Sequence, residues 1–184
     1  MANVQYGFAF KSNLFSEDST LNPVVRIRDI LGNETKTYSP EMPDDKYIID
    51  NGDILIGMDG IFHMNQWSNG KAYLNQRVVK IKSETITNFQ LYYFLHPIIK
   101  NLEVIISGTT VAHLSDADLK KIKVLVADDV LQNKANKQFE PLLKQKLNLL
   151  QQNTNLRKTR DLLLPPLISG DIDVSDLPIP TEED

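Results

Sequence analysis

Apolar and polar positions change their period along this chain, and the changes mark out elements. Pro23-Val24-Val25-Arg26-Ile27-Arg28-Asp29-Ile30 alternates in part and is rich in β-branched residues, which predicts a strand. Asn51-Gly52-Asp53 is a turn signal ahead of Ile54-Leu55-Ile56, a short apolar strand. Val78 to Lys82 predicts another strand. Asn88 to Lys100 carries Phe89, Tyr92, Tyr93 and Leu95 around an apolar face, which predicts a helix. Asp116 to Lys121 predicts a short helix capped by Ser115, and Ile122 to Val126 a strand that leads out of the domain. There is no regular βαβ period, so the fold class expected is α+β: a mixed α/β domain over residues 1–127.

From Leu131 to Leu164 the pattern is different. Glycine is absent, and Leu, Lys, Gln and Asn dominate. Leu142, Leu149, Leu156 and Leu163 recur every seven residues, with Leu143, Leu150 and Leu164 one position on. Phe139, Lys146, Asn153 and Arg160 form a companion row three residues earlier. This is a heptad with one leucine seam and one polar, mixed seam, which predicts a long coiled-coil-forming helix over 128–168. From Pro141 to Leu164 such a helix is about 36 Å long at about 1.5 Å per residue. The alternative is an amphipathic helix packed on its own domain. A kink or restart is expected at Pro141, and Pro165-Pro166 is expected to end the helix. Residues 169–184 read as an acidic, loosely ordered tail.

Composition changes this picture little. The 184 residues are 41% hydrophobic and 24% charged, ordinary globular values. The absence of cysteine excludes a disulfide framework and a thiolate zinc site. No apolar run approaches the roughly 20 residues that span a bilayer, and the first residues lack a signal-peptide layout. A soluble, cytoplasmic protein without membrane contact is expected. Net charge is −4, divided unevenly: −3 over residues 1–131, +5 over 132–164 and −6 over 165–184. If the chain binds nucleic acid, its basic surface must be local or be supplied in part by a partner.

Two stretches carry a family resemblance. The first is Ser107-Gly108-Thr109-Thr110-Val111-Ala112-His113-Leu114-Ser115, followed by Leu119 and Ile122-Lys123-Val124. The second is Gln152-Asn153, Leu156, Arg160-Asp161-Leu162-Leu163-Leu164-Pro165 and Leu167-Ile168-Ser169-Gly170. Gly7-Phe8-Ala9-Phe10-Lys11-Ser12, Arg26 to Ile30, Gly52 to Ile56 and Leu74-Asn75-Gln76-Arg77-Val78 fit in the same order. Together they resemble the specificity subunits of Type I restriction-modification systems. The resemblance implies one target recognition domain and one conserved helical region, half of what full-length members carry, and hence a half subunit, a split gene product or a fragment.

The same resemblance implies a role without catalysis, and the residues agree with it. The only Pro-Pro pair, Pro165-Pro166, lies between leucines and not in the Asp/Asn-Pro-Pro-aromatic loop of an adenine methyltransferase. There is no Gly-rich phosphate loop, and His63, His96 and His113 lack metal-ligand spacing. The partners implied are double-stranded DNA, a methyltransferase subunit, a restriction subunit, and a second copy or other half joined through the helix. S-adenosylmethionine is expected on the methyltransferase and no cofactor on this chain.

Base reading needs donors and acceptors that reach groove edges, and phosphate contacts need cations and amides. In the stretch Met58 to Lys71, His63, Asn65 and Gln66 are candidate base readers, with Trp67 beside them. Lys11, Arg26, Arg28, Lys71 and Arg77 are candidate phosphate contacts. Gly108, Thr109 and Thr110 present amides and hydroxyls to phosphate or form a tight turn. The alternative for the whole stretch is a surface loop whose Trp67 and Phe62 pack inward. Leu142, Leu149, Leu156 and Leu163, with Asn153 among them, are the dimerisation candidates. The expected function is recognition of one half of a bipartite DNA site that directs methyltransferase and restriction subunits. The rivals are a catalytic fragment and a dimerising interaction protein that no longer reads DNA.

Overall fold

The computed structural model describes residues 2–106, 112–173 and 175. The chain divides into two compact units, 1–147 and 148–184. The first unit is built on two four-stranded sheets. One sheet contains β1 (Ala2–Tyr6), β8 (Val78–Ser83), β5 (Ile54–Gly57) and β6 (Met64–Gln66), in that order and antiparallel throughout. The other contains β3 (Tyr38–Ser39), β2 (Asn22–Val25), β7 (Ala72–Leu74) and β4 (Ile48–Ile49). Its central pair, β2 and β7, is parallel.

Strand β5 shows why the core has three layers. Ile54 and Ile56 point to one face, where they meet Leu91, Leu95 and Ile99 of helix α1 (Asn88–Ile106). Leu55 points to the other face and meets Val25, Ile49, Trp67 and Leu74 of the second sheet and its loops. A strand buried on both faces reads as an unbroken apolar run, as Ile54-Leu55-Ile56 does. At Gly57 the end of β5 lies close to the segment after β2: a Cβ there would fall 2.7 Å from Ile27 Cγ2.

Several expected elements change on folding. The stretch Pro23 to Ile30 is a strand only to Val25. It then turns through a 3-10 helix at Ile27–Asp29, closed by the Asp29 carboxylate accepting from the Arg26 amide at 2.9 Å. That side-chain acceptor competes with the ladder and ends the strand. Ile122 to Val126 forms no strand; the segment is irregular and rests Ile122 and Val124 on the apolar core. The expected capped helix is present as α2 (Asp116–Lys121), with Ser115 and Asp118 in a reciprocal capping box.

Helix α3 runs from Asp129 to Ser169. It passes through Pro141 without a restart and continues beyond Pro165-Pro166 to Ser169. All three prolines lie on parts of the helix where water can bond the carbonyls that lose a partner. Gly170, at φ +80°, follows the last turn, as expected of the residue after a helix C-terminus. The first unit extends to Leu147, past the expected boundary at 127, because the first half of α3 belongs to it. The second unit, 148–184, contains the rest of α3 and the turn after it.

Candidate nucleic-acid interface

The parallel pair β2 and β7 brings two basic segments to one end of the domain. Both strands leave the sheet at that end, β2 into Arg26-Ile27-Arg28 and β7 into Asn75-Gln76-Arg77. The loop 58–63 between β5 and β6 opens beside them. The Met58 amide donates to the Arg77 carbonyl at 3.0 Å, and Asp59 Oδ2 lies 3.4 Å from Arg77 Nε. Asp59 Oδ1 also holds His113 Nδ1 at 2.6 Å. Two backbone bonds, Gly60 N to Ala112 O and Leu114 N to Met58 O, fix the 112–114 segment on this loop.

Arg28 and Arg77 are 69% and 57% exposed, enough to meet a ligand with most of their donors free. Arg26 is less available. Its guanidinium lies 5.4 Å from the Phe15 ring, and its Nε is buried without a hydrogen-bond partner among the described residues. Burial pushes the Asp29 carboxyl beside it up to about 6, against the opposing pull of Thr35 and Arg28.

The stretch 63–71 splits along β6. His63 stands at the basic end, beside Asn65 in an open pocket with Leu31, Tyr92, His96 and Lys100. Lys71 stands beyond the opposite end of β6, in the turn 67–71. Lys11 lies at the far end of β2, where its backbone amide donates to Glu41.

Two candidate base readers are used inside the fold. Trp67 is 1% exposed and donates its indole N–H to the Gly70 carbonyl at 2.6 Å. Gln66 is 1% exposed; its Nε2 donates to the Asn88 carbonyl at 3.0 Å and its Oε1 accepts from Lys146 Nζ at 2.7 Å. As a correction to the sequence reading, Gln66 and Trp67 lack a free edge for a base, because packing and internal bonds occupy both. Asn65 is partly buried and spends Nδ2 on the Ile30 carbonyl at 3.2 Å. Gly108, Thr109 and Thr110 lie outside the described residues.

Residues to which the sequence reading gave no binding role complete this end. Tyr92, His96 and Lys100 follow at i, i+4 and i+8 along α1, one row on one face. Burial raises the Tyr92 hydroxyl above its ordinary value, with Tyr93 adding to it, and burial lowers Lys146. Lys146 Nζ sits 5.1 Å from the centre of the Tyr92 ring.

Comparison with known proteins decides the family. The family model described as the Type I restriction modification DNA specificity domain matches residues 1–156. The chain belongs to this Type I specificity family. It is 32% identical over 178 residues to the Type I restriction enzyme EcoBI specificity subunit of Escherichia coli, covering 92% of this chain and 37% of that protein. It is 27% identical over 90 residues to the MjaIX specificity subunit of Methanocaldococcus jannaschii, covering 49% of this chain and 21% of that protein.

Solved Type I specificity subunits share the fold. The S subunit from M. genitalium superposes with a TM-score of 0.62 at 15% identity, over 92% of this chain and 44% of that one. The HsdS subunit from Thermoanaerobacter tengcongensis gives 0.57 at 14%, over 93% and 43%. The chain therefore spans less than half the length of these specificity proteins. Among the described residues, no helix is long and apolar enough to cross a membrane.

Proposed function

We propose that this chain recognises one half of a bipartite DNA site as the DNA-reading part of a Type I restriction-modification complex. The observation that carries the reading is the specificity-domain match over residues 1–156. The local geometry supports it: Arg28, Arg77 and His63 are brought to one end of a domain whose overall charge is negative. Arg28 and Arg77 hold phosphates, His63 and the 58–63 loop approach the groove, and Asp59 orients Arg77 through its Nε. The chain does no chemistry of its own. An adenine methyltransferase subunit carrying S-adenosylmethionine acts at the site, and a restriction subunit joins the same assembly. Helix α3 pairs with a second copy or with the other half of a specificity subunit and sets the gap between half-sites.

The test is a titration of duplexes of varied sequence with and without the methyltransferase. Sequence-selective binding by the assembly is expected. Arg28→Gln with Arg77→Gln should weaken it about tenfold across all sequences, as loss of charged phosphate contacts does. An assembly that binds every duplex alike, or none, overturns DNA reading and leaves a dimerising interaction protein.

A further inference from the structure

The pocket beside the basic end contains four donor groups, of which the DNA reading has so far used only His63. His63 enters it from the loop ahead of β6, and Tyr92, His96 and Lys100 enter from one face of α1. Leu31, Phe62, Met64 and Ile99 close its apolar floor and rim, and Asn65 completes the wall. No carboxylate is among the described residues that line it. The nearest acidic side chain along α1, Glu103, places Oε2 3.2 Å from the Phe62 amide nitrogen.

The chemistry of this wall is one-sided. Two imidazoles, an ammonium group and a phenol offer donors, and a further ammonium, Lys146, lies behind the Tyr92 ring. His96 and Tyr92 pack with tilted rings, centroids 5.7 Å apart and planes at 44°. The cavity is about 270 Å³, below the roughly 300–1,000 Å³ of pockets that enclose a drug-sized ligand. It is open to solvent and has room for an anionic group. Residues 1–131 carry a net −3, so a DNA-binding face on this domain needs a local concentration of donors of this kind.

We infer that the His63–Tyr92–His96–Lys100 pocket binds one phosphate group of the DNA backbone and anchors the domain beside the bases that the 58–63 loop approaches. The inference rests on the DNA-recognition reading for its ligand. It reassigns His63 from base reading to phosphate holding, which fixes position on the duplex without contributing sequence preference.

Two measurements on the full chain test it. In the first, binding of several duplexes is followed against salt for wild type and for His96→Gln with Lys100→Gln; both residues are at least partly exposed, and glutamine is a good helix former. Loss of one phosphate contact should flatten the slope of log K against log salt by about 0.9, equally for every sequence. In the second, imidazole resonances are followed as inorganic phosphate is added. The chain has three histidines, and His113, bonded to Asp59 beside Arg77, reports phosphate at the arginines instead. His63 and His96 should shift in wild type, and the His63 shift should be lost in His96→Gln with Lys100→Gln.

The outcomes separate the two readings. An unchanged slope, or a changed preference among sequences, overturns the phosphate site while DNA recognition stands. Phosphate shifts at His63 and His96 in a chain that binds no DNA, alone or assembled with the methyltransferase, keep the site and overturn DNA recognition. Absence of both DNA binding and the phosphate shifts overturns both.

Discussion

Asp29 and Gly7 show how single residues hold the basic end in place. Asp29 is 8% exposed, accepts from the Arg26 amide, and closes the turn that carries Arg28. Burial lifts its carboxyl from 3.8 to about 6. Between those values the folded chain holds a proton that the unfolded chain has released. Stability from this group is therefore present at low pH and lost as pH rises through that window. At about 1.4 kcal/mol per pKa unit the loss is on the order of 2–3 kcal/mol. Asp29→Asn keeps an acceptor for the amide and removes the titration. In urea unfolding, the variant should gain on wild type between pH 4 and pH 7; an offset that does not vary with pH would show that burial of this carboxylate costs little. Gly7 is where the chain crosses from one sheet to the other, its amide donating to Val78 and the next amide to Leu74. A Cβ there would lie 2.0 Å from the Asn75 carbonyl oxygen. Gly7→Ala should therefore cost at least the upper end of roughly 1–3 kcal/mol, read as a lower urea midpoint. A midpoint like that of wild type would mean that the two backbones can separate without loss.

At the scale of elements, the first half of α3 divides its two rows of residues between different tasks. Gln132 donates to Gln90 Oε1 at 3.0 Å, and Asn136 to the Thr85 carbonyl at 2.8 Å. Phe139 stacks on Phe89 with centroids 5.6 Å apart, and Lys146 reaches Gln66. Leu143 and Leu147 close over Gly52. The mixed companion row, expected to face another helix, is in this half a docking row on the chain's own domain. The heptad was legible in the sequence, but its partner was not. A row of Gln, Asn, Phe and Lys satisfies a domain surface or a second helix equally well until the groups opposite are known. The same limit explains Gln66 and Trp67. Their polar atoms look free in a sequence, and only the fold shows Asn88, Lys146 and Gly70 occupying them. The α1 row of Tyr92, His96 and Lys100 follows i, i+4 spacing, but Tyr92 also belongs to the apolar pattern of that helix, so the sequence alone reads it as core. Docking of α3 is open to test. Phe139→Ala removes a partly buried ring and its stacking, and should cost about 2 kcal/mol in unfolding of the domain. Leu142→Ala, on the other row, should cost under about 0.5 kcal/mol when unfolding is measured on the monomer, below the concentration at which the chain associates, as exposed positions do. Equal costs for the two would remove the distinction between the rows.

At the scale of the whole molecule, the row left over is the one that calls for a partner. Leu142, Leu149, Leu156 and Leu163 are 46%, 52%, 67% and 45% exposed. Fully burying a leucine is worth roughly 1.5–3 kcal/mol, so four half-exposed leucines at heptad spacing are a strong drive to associate. Direction follows from register and charge. An antiparallel crossing at Asn153 sets Leu142 opposite Leu164, Leu149 opposite Arg157, and Leu150 opposite Leu156. It brings the two Asn153 side chains together and lays Asp171 and Asp173 of one copy near Lys134 and Lys137 of the other. The antiparallel pair confines self-facing charge to residues 142–164, whereas a parallel pair would align the whole +5 stretch 132–164 with its own copy. The chain alone should therefore be a dimer at about tens of micromolar, the range of a weak to moderate interface. Leu149→Asp with Leu156→Asp should be monomeric, with the unfolding midpoint of the domain unchanged because neither residue is in the docking row. Sedimentation velocity on both proteins reads the first expectation and urea unfolding the second. A wild type that sediments as a monomer at that concentration ends the homodimer reading, and the leucine row then belongs to a partner of different sequence.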